Sequence, residues 1–111
     1  MKEGEIMEET KVVGQEFLLK NGEVVGLSLS FGRLNLLKKL NLELYNRFND
    51  ILYGKSNDIL DLVTIIYVGY WCANFKLTDK LYTEDDFIEL VEFDTLEIQR
   101  TFKALTQPKK K

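Results

Sequence analysis

Histidine is missing altogether, and cysteine and proline occur once each, as Cys72 and Pro108. Without histidine, neither a Ser-His nor a Cys-His nucleophile pair can be assembled within this chain. The commonest metal ligand goes with it, and a lone cysteine cannot build a zinc site. One thiol cannot form an intramolecular disulfide either, so the fold is expected to rest on packing, as suits a reducing cytoplasm. The seven glycines stand singly, so neither a GxGxxG nor a GxxxxGK[ST] phosphate cradle is present. The longest uncharged run, Leu62 to Phe75, has 14 residues. A bilayer-spanning helix needs about 20, so this run suits a buried core helix and no membrane partner is expected.

What the chain does contain is ordinary globular material. Of its 111 residues, 45% are hydrophobic and 30% charged, the composition and length of one folded domain. The formal net charge of −3 argues against a general nucleic-acid binder, which needs a basic surface to hold phosphates. Charge is unevenly placed. Asp79 to Glu97 holds eight acids and one lysine, whereas Arg100, Lys103 and Lys109 to Lys111 follow with no acid among them. The acidic start (Glu3, Glu5, Glu8, Glu9) lacks the apolar stretch of a signal peptide, which points to a soluble cytoplasmic protein.

The patterning predicts a mainly α (α+β) fold, an N-terminal β-hairpin packed on a bundle of four to five helices. Residues 1–11 are charged and aperiodic and are expected to fray. Val12 and Val13 before Gly14 are candidates to extend the first strand through a bulge. The hairpin is expected over 15–30, turning at Asn21-Gly22, the preferred pair for a type I′ turn. Val25, Leu27, Leu29 and Phe31 alternate with small residues, the period of a strand with one buried face; Phe17 and Leu19 face them less regularly. A lone hairpin is marginal in water, so it must rest on the helices over 31–106.

Ser30 is a candidate N-cap for a helix with Leu34, Leu37 and Leu40, closed by Lys38 and Lys39 at the negative end of the dipole. Asn41 marks either a break or a bend within one long helix before the pattern of Leu44, Phe48, Ile51 and Leu52, which Gly54 is expected to stop. Asp58 and Asp61 open the central helix, apolar nearly all round from Ile59 to Phe75, with only a strip at Asp61 and Thr64 plainly polar. Thr83 with Asp86 resembles a capping box before a short helix carrying Phe87, Leu90 and Val91. Asp94 and Glu97 repeat that spacing before a last helix with Ile98, Phe102 and Leu105. Pro108 then ends regular structure, and 107–111 form a tail.

Each candidate site has a plainer explanation beside it. Asp58 with Asp61, and Glu84 to Asp86, are carboxylate clusters, but both lie where a helix starts, and capping explains them better than acid–base catalysis. Asp79 to Asp86 lacks the alternating ligands and central glycine of an EF-hand loop. Cys72 among Tyr70, Trp71 and Phe75 reads as a small core hydrophobe rather than a reactive thiol. Helix 59–75 has more apolar surface than a small bundle needs to bury. That makes Tyr67, Tyr70, Trp71 and Phe75 the candidate partner-binding residues, although core packing is the ordinary use of such aromatics. No catalytic, cofactor or metal residue is expected.

One resemblance covers residues 15–106. "FLLKNGEVVGLSLSFGRLNLLKKL" is followed by an "LYNRFNDILYG" helix and the apolar "DILDLVTIIYVGYWCANF". The acidic "LTDKLYTEDDFIELVEFD" and a closing "TLEIQRTFKAL" complete the order. This layout resembles the tail assembly chaperones of long-tailed phages and prophages of Gram-positive bacteria. The resemblance implies a non-catalytic protein that coats the hydrophobic tape measure protein, helps bring tail tube protein to it and is absent from the finished virion. It further implies a longer frameshifted form in many members, with which a lysine run at 109–111 is compatible. Self-association steered by the acidic and basic segments is a further expectation. The rivals are a structural head-to-tail connector or tail completion protein, which would stay in the virion, and an enzyme inhibitor.

Overall fold

Strands β1 (Gln15–Leu18) and β2 (Val24–Leu27) pair antiparallel with Phe17 opposite Val25 and Gln15 opposite Leu27. The computed structural model describes residues 15–76 and 80–107. The expectations for 1–14, for Asp79 and for the tail from Pro108 lie outside the described residues. The turn departs from the expected type. Gly22 alone takes a positive φ, at 90°; its N–H donates to the Leu19 carbonyl, and the Leu19 N–H donates to the Glu23 carbonyl, both at 2.9 Å. This is the three-residue loop with a glycine bulge, not a two-residue type I′ turn. Asn21 contributes through its side chain instead, its Oδ1 accepting the Glu23 N–H at 3.0 Å.

Phe17, Leu19, Val25 and Leu27 are all buried, so both strands supply the hairpin's inner face. The expected alternation fails beyond them. Leu29 is half-buried, and Phe31 is 92% exposed. The reason is local: Ser30 is the N-cap of α1 (Phe31–Leu40), its Oγ accepting the Arg33 N–H at 3.3 Å, so Phe31 already follows helical periodicity.

Four more helices follow: α2 (Leu42–Gly54), α3 (Ile59–Asn74), α4 (Glu84–Glu89) and α5 (Thr95–Thr106). Asn41 both ends α1 and starts α2, its N–H donating to the Leu37 carbonyl at 2.7 Å and its Oδ1 accepting from the Leu44 N–H at 3.2 Å. Asp58, Thr83 and Asp94 cap α3, α4 and α5 through side-chain oxygens at 2.9, 3.2 and 3.2 Å. Asp58 and Asp94 among the acids at helix starts therefore have structural partners, and Asp61 accepts from the Ser56 hydroxyl at 2.7 Å.

At the end of α2 the left-handed residue is Lys55, φ 54°, rather than Gly54. A side chain there costs about 1–2 kcal/mol, more than the entropy glycine loses on folding. Lys55→Gly is therefore expected to raise stability by up to about 1 kcal/mol, which a urea melt measures as a higher midpoint at unchanged slope.

Helix α3 is the axis of the molecule. Every residue from Leu62 to Cys72 is buried, Thr64 included, whose hydroxyl donates to the Leu60 carbonyl at 3.3 Å. The polar strip expected at Thr64 is covered. The hairpin lies along α3, pinned by the Ser28 N–H on the Gly69 carbonyl (3.1 Å) and by Asn74 Nδ2 on the Gly26 carbonyl (3.1 Å). Helix α5 packs on another side, where Gly69 has a steric purpose. A Cβ there would lie 2.9 Å from both Leu105 methyl carbons and 3.6 Å from the Leu27 Cβ.

Candidate functional site

The four aromatics singled out in the sequence separate in the fold. Tyr67, Tyr70 and Trp71 are buried; Phe75 is half-buried at the end of α3. Tyr67 and Tyr70 pack on Phe87 of α4, with ring centroids 5.4 and 4.9 Å away, and Phe17 of the hairpin closes on the same ring at 6.3 Å. Their polar ends hold the segment before α4: the Tyr67 hydroxyl donates to the Tyr82 carbonyl and the Tyr70 hydroxyl accepts the Tyr82 N–H, both at 2.8 Å. Trp71 stacks on Phe75 at 4.4 Å, and the Phe75 carbonyl accepts from Arg33 at 2.9 Å. These contacts are those of core residues, and none of the four lines the open apolar surface described below.

The electrostatics of this region favour neutral groups. Burial pushes the Tyr67 phenol up to about 12 and the Cys72 thiol up to about 11, which leaves the thiol protonated and unreactive. Burial also raises Tyr70. The Glu84 carboxylate is held by a forked pair of hydrogen bonds from Arg47, at 3.0 and 2.5 Å, linking α2 to α4. Among the described residues no group of three His, Cys, Asp or Glu side chains could hold a metal ion. No described helix is long and apolar enough to cross a membrane.

Open apolar surface lies instead between α1, α2 and the end of α5. These elements enclose a groove of about 930 Å³. Leu29, Leu34, Phe48, Leu52 and Leu105 supply its apolar walls, and Phe31, Asn35, Asn49 and Tyr53 also face it. Asn41 separates α1 from α2, which both line the groove, and the end of α5 adds Leu105 and Thr106 on a third side. Among the described residues Lys38 is the one cation on the wall, its ammonium 5.4 Å from the centre of the Tyr45 ring. No carboxylate lines the groove, so its described walls contain no acid–base pair. Chemically its apolar walls, with Asn35, Asn49 and Gln107 among them, suit a mainly apolar object that carries some polar groups.

The sequence pattern places Leu34, Phe48, Leu52 and Leu105 on the core faces of their helices, and it does not show that they border an open groove with Tyr45 and Tyr53. A neighbouring stripe at helical spacing carries the signal: Phe31, Asn35 and Lys38 beside Leu34 on α1, and Tyr45, Asn49 and Tyr53 beside Leu52 on α2. Aromatic residues on a mixed stripe outside the core face were the available signal.

No family model, curated protein or solved structure matches the chain.

Proposed function

We propose that the protein is a non-catalytic tail assembly chaperone of a long-tailed phage or prophage. In this reading it binds apolar helical stretches of the tape measure protein, keeps that protein soluble, and helps recruit tail tube subunits. It works in the cytoplasm of the bacterial host and is absent from the finished particle. The observation that carries the reading is the open groove, with apolar walls, a single cation and no carboxylate. Such a groove suits one face of an amphipathic helix, whose anchors at i, i+3, i+4 and i+7 would lie along Leu34, Phe48 and Leu52. The order of hairpin, apolar central helix and acidic helix start adds the resemblance already described.

Co-expression with a phage tape measure protein is expected to move that protein from the insoluble to the soluble fraction. Asn35→Trp fills the groove from an exposed position without removing a core side chain. It is expected to abolish the rescue while leaving the melting temperature within a few degrees of the parent. No rescue by the parent protein, or full rescue by the variant, sinks the reading. A connector or tail completion protein would be found in purified particles by mass spectrometry, where a chaperone would be missing.

A further inference from the structure

The hairpin turn is a chemical site as well as a structural one. Asparagine is among the thermolabile residues, and of the seven in this chain only Asn21 precedes a glycine. Both Asn21 and Gly22 are exposed. A Cβ built on Gly22 would meet nothing within 4 Å, so water reaches the Gly22 nitrogen from open solvent and no side chain shields it. That nitrogen is placed by its covalent connection to close a five-membered ring on the Asn21 side-chain amide.

The closed turn works against this ring closure. The Gly22 N–H, whose proton must leave, donates to the Leu19 carbonyl at 2.9 Å. Asn21 Oδ1 accepts the Glu23 N–H at 3.0 Å, which holds the side chain on the Glu23 amide. Asn21 Nδ2, the leaving group, donates to the Tyr82 hydroxyl at 3.5 Å, and that hydroxyl donates to Glu23 at 2.6 Å. Tyr82 is itself fixed through its backbone by Tyr67 and Tyr70. The clasp therefore ties the turn to the aromatic cluster on α3.

We infer that Asn21 is a site of spontaneous deamidation, gated by local opening of this turn and slowed by the Tyr82 clasp. The Gly22 nitrogen gives up its proton and bonds to Asn21 Cγ; the Cγ–Nδ2 bond breaks, and Nδ2 leaves with a proton as ammonia. Water then opens the resulting succinimide at either carbonyl, giving aspartate or isoaspartate. Both products set a carboxylate beside Glu23. Isoaspartate also inserts one carbon into the main chain, so the turn cannot close as before and the reaction leaves a permanent record of opening. This goes beyond the chaperone reading and does not rest on it, because the turn is separate from the groove.

The test is incubation of the full chain in heavy-oxygen water at mildly alkaline pH, with peptide mapping to read label at Asn21 and chromatography to separate the two products. A synthetic peptide of residues 17–26 serves as the open reference. Label is expected in the folded chain about tenfold to a hundredfold more slowly than in the peptide, since two hydrogen bonds must open first. Tyr82→Phe keeps the ring and is expected to fold as the parent does, while speeding labelling roughly threefold to tenfold through loss of the clasp. Lys55→Gly, remote from the turn, is expected to leave the rate unchanged, because the opening is local. The isoaspartate fraction is expected to unfold at lower urea than the parent. Labelling of the folded chain at the peptide's rate overturns the proposal, as does Tyr82→Phe reacting like the parent. An Asn21 that stays unlabelled in both proteins, or slowing in Lys55→Gly in step with its raised urea midpoint, overturns it equally.

Discussion

Replacing Phe87 by alanine is expected to cost about 3–5 kcal/mol, the largest loss any single truncation in this protein should produce. Phe87 is fully buried, and its ring meets Phe17 from the hairpin and both Tyr67 and Tyr70 from α3. Helix α4 has only six residues, too few to hold itself together in water. Removing the ring therefore empties a cavity and detaches the helix. The hairpin is affected too, since the Lys20 N–H donates to the Leu90 carbonyl at 2.8 Å just past α4. A domain of this size has about 5–15 kcal/mol of stability to lose, so chemical denaturation of the variant should begin at very low denaturant. A loss below about 1 kcal/mol would mean that the aromatic cluster is not the keystone its geometry makes it.

The protein is also expected to lose stability steeply at alkaline pH. Burial raises the Cys72 thiol from 9.0 to about 11 and the Tyr67 phenol from 10.0 to about 12. Between those limits the unfolded chain has released protons that the folded chain still holds. Stability must then fall as pH rises. It is fully present below pH 9 and declines until about pH 12. Each group contributes on the order of 1–3 kcal/mol across its window after allowing for solvent screening, a sizeable share of the stability of a small domain. Urea melts at successive pH values measure the slope, and tyrosinate absorbance reports whether Tyr67 ionises only on unfolding. Cys72→Ala should flatten the lower part of the window and leave the upper part intact. A stability that stays level from pH 9 to 12 would contradict the burial of both groups.

These two expectations rest on different levels of legibility. The helices and their limits could be read almost directly, because capping is short-range chemistry: Ser30, Asn41, Asp58, Thr83 and Asp94 each bond within three residues of themselves. The hairpin was legible in existence but not in turn type. Asn-Gly supports two loop geometries, and the one adopted lets the turn hydrogen-bond to the end of α4. Of the two carboxylate clusters, Asp58 caps α3, Asp61 accepts from the Ser56 hydroxyl, and Glu84 is held by Arg47 of α2, a partner 37 residues away in sequence.

The candidate site was far less legible. Central helix α3 looked too apolar for one small bundle, and its aromatics were therefore assigned to a partner. Periodicity places the hairpin on the helices but does not say which helix it covers, nor that α5 closes on the same one. With β2 on one side and α5 brought close at Gly69, all residues from Leu62 to Cys72 are buried. The exposed apolar groups are found elsewhere, at Phe31, Tyr53 and Phe93.

Taken by itself, the sequence determined what is local and what is absent: the helix starts, the hairpin, the lack of histidine, and the opposite charges of residues 24–42 and 81–99. Only the tertiary structure decided which apolar residues are consumed by the core and which remain outside. The physical reason is that helical periodicity gives the face of a residue, whereas its burial depends on what packs against that face. For α3 the covering elements come from both ends of the chain, and no local pattern records that they meet there.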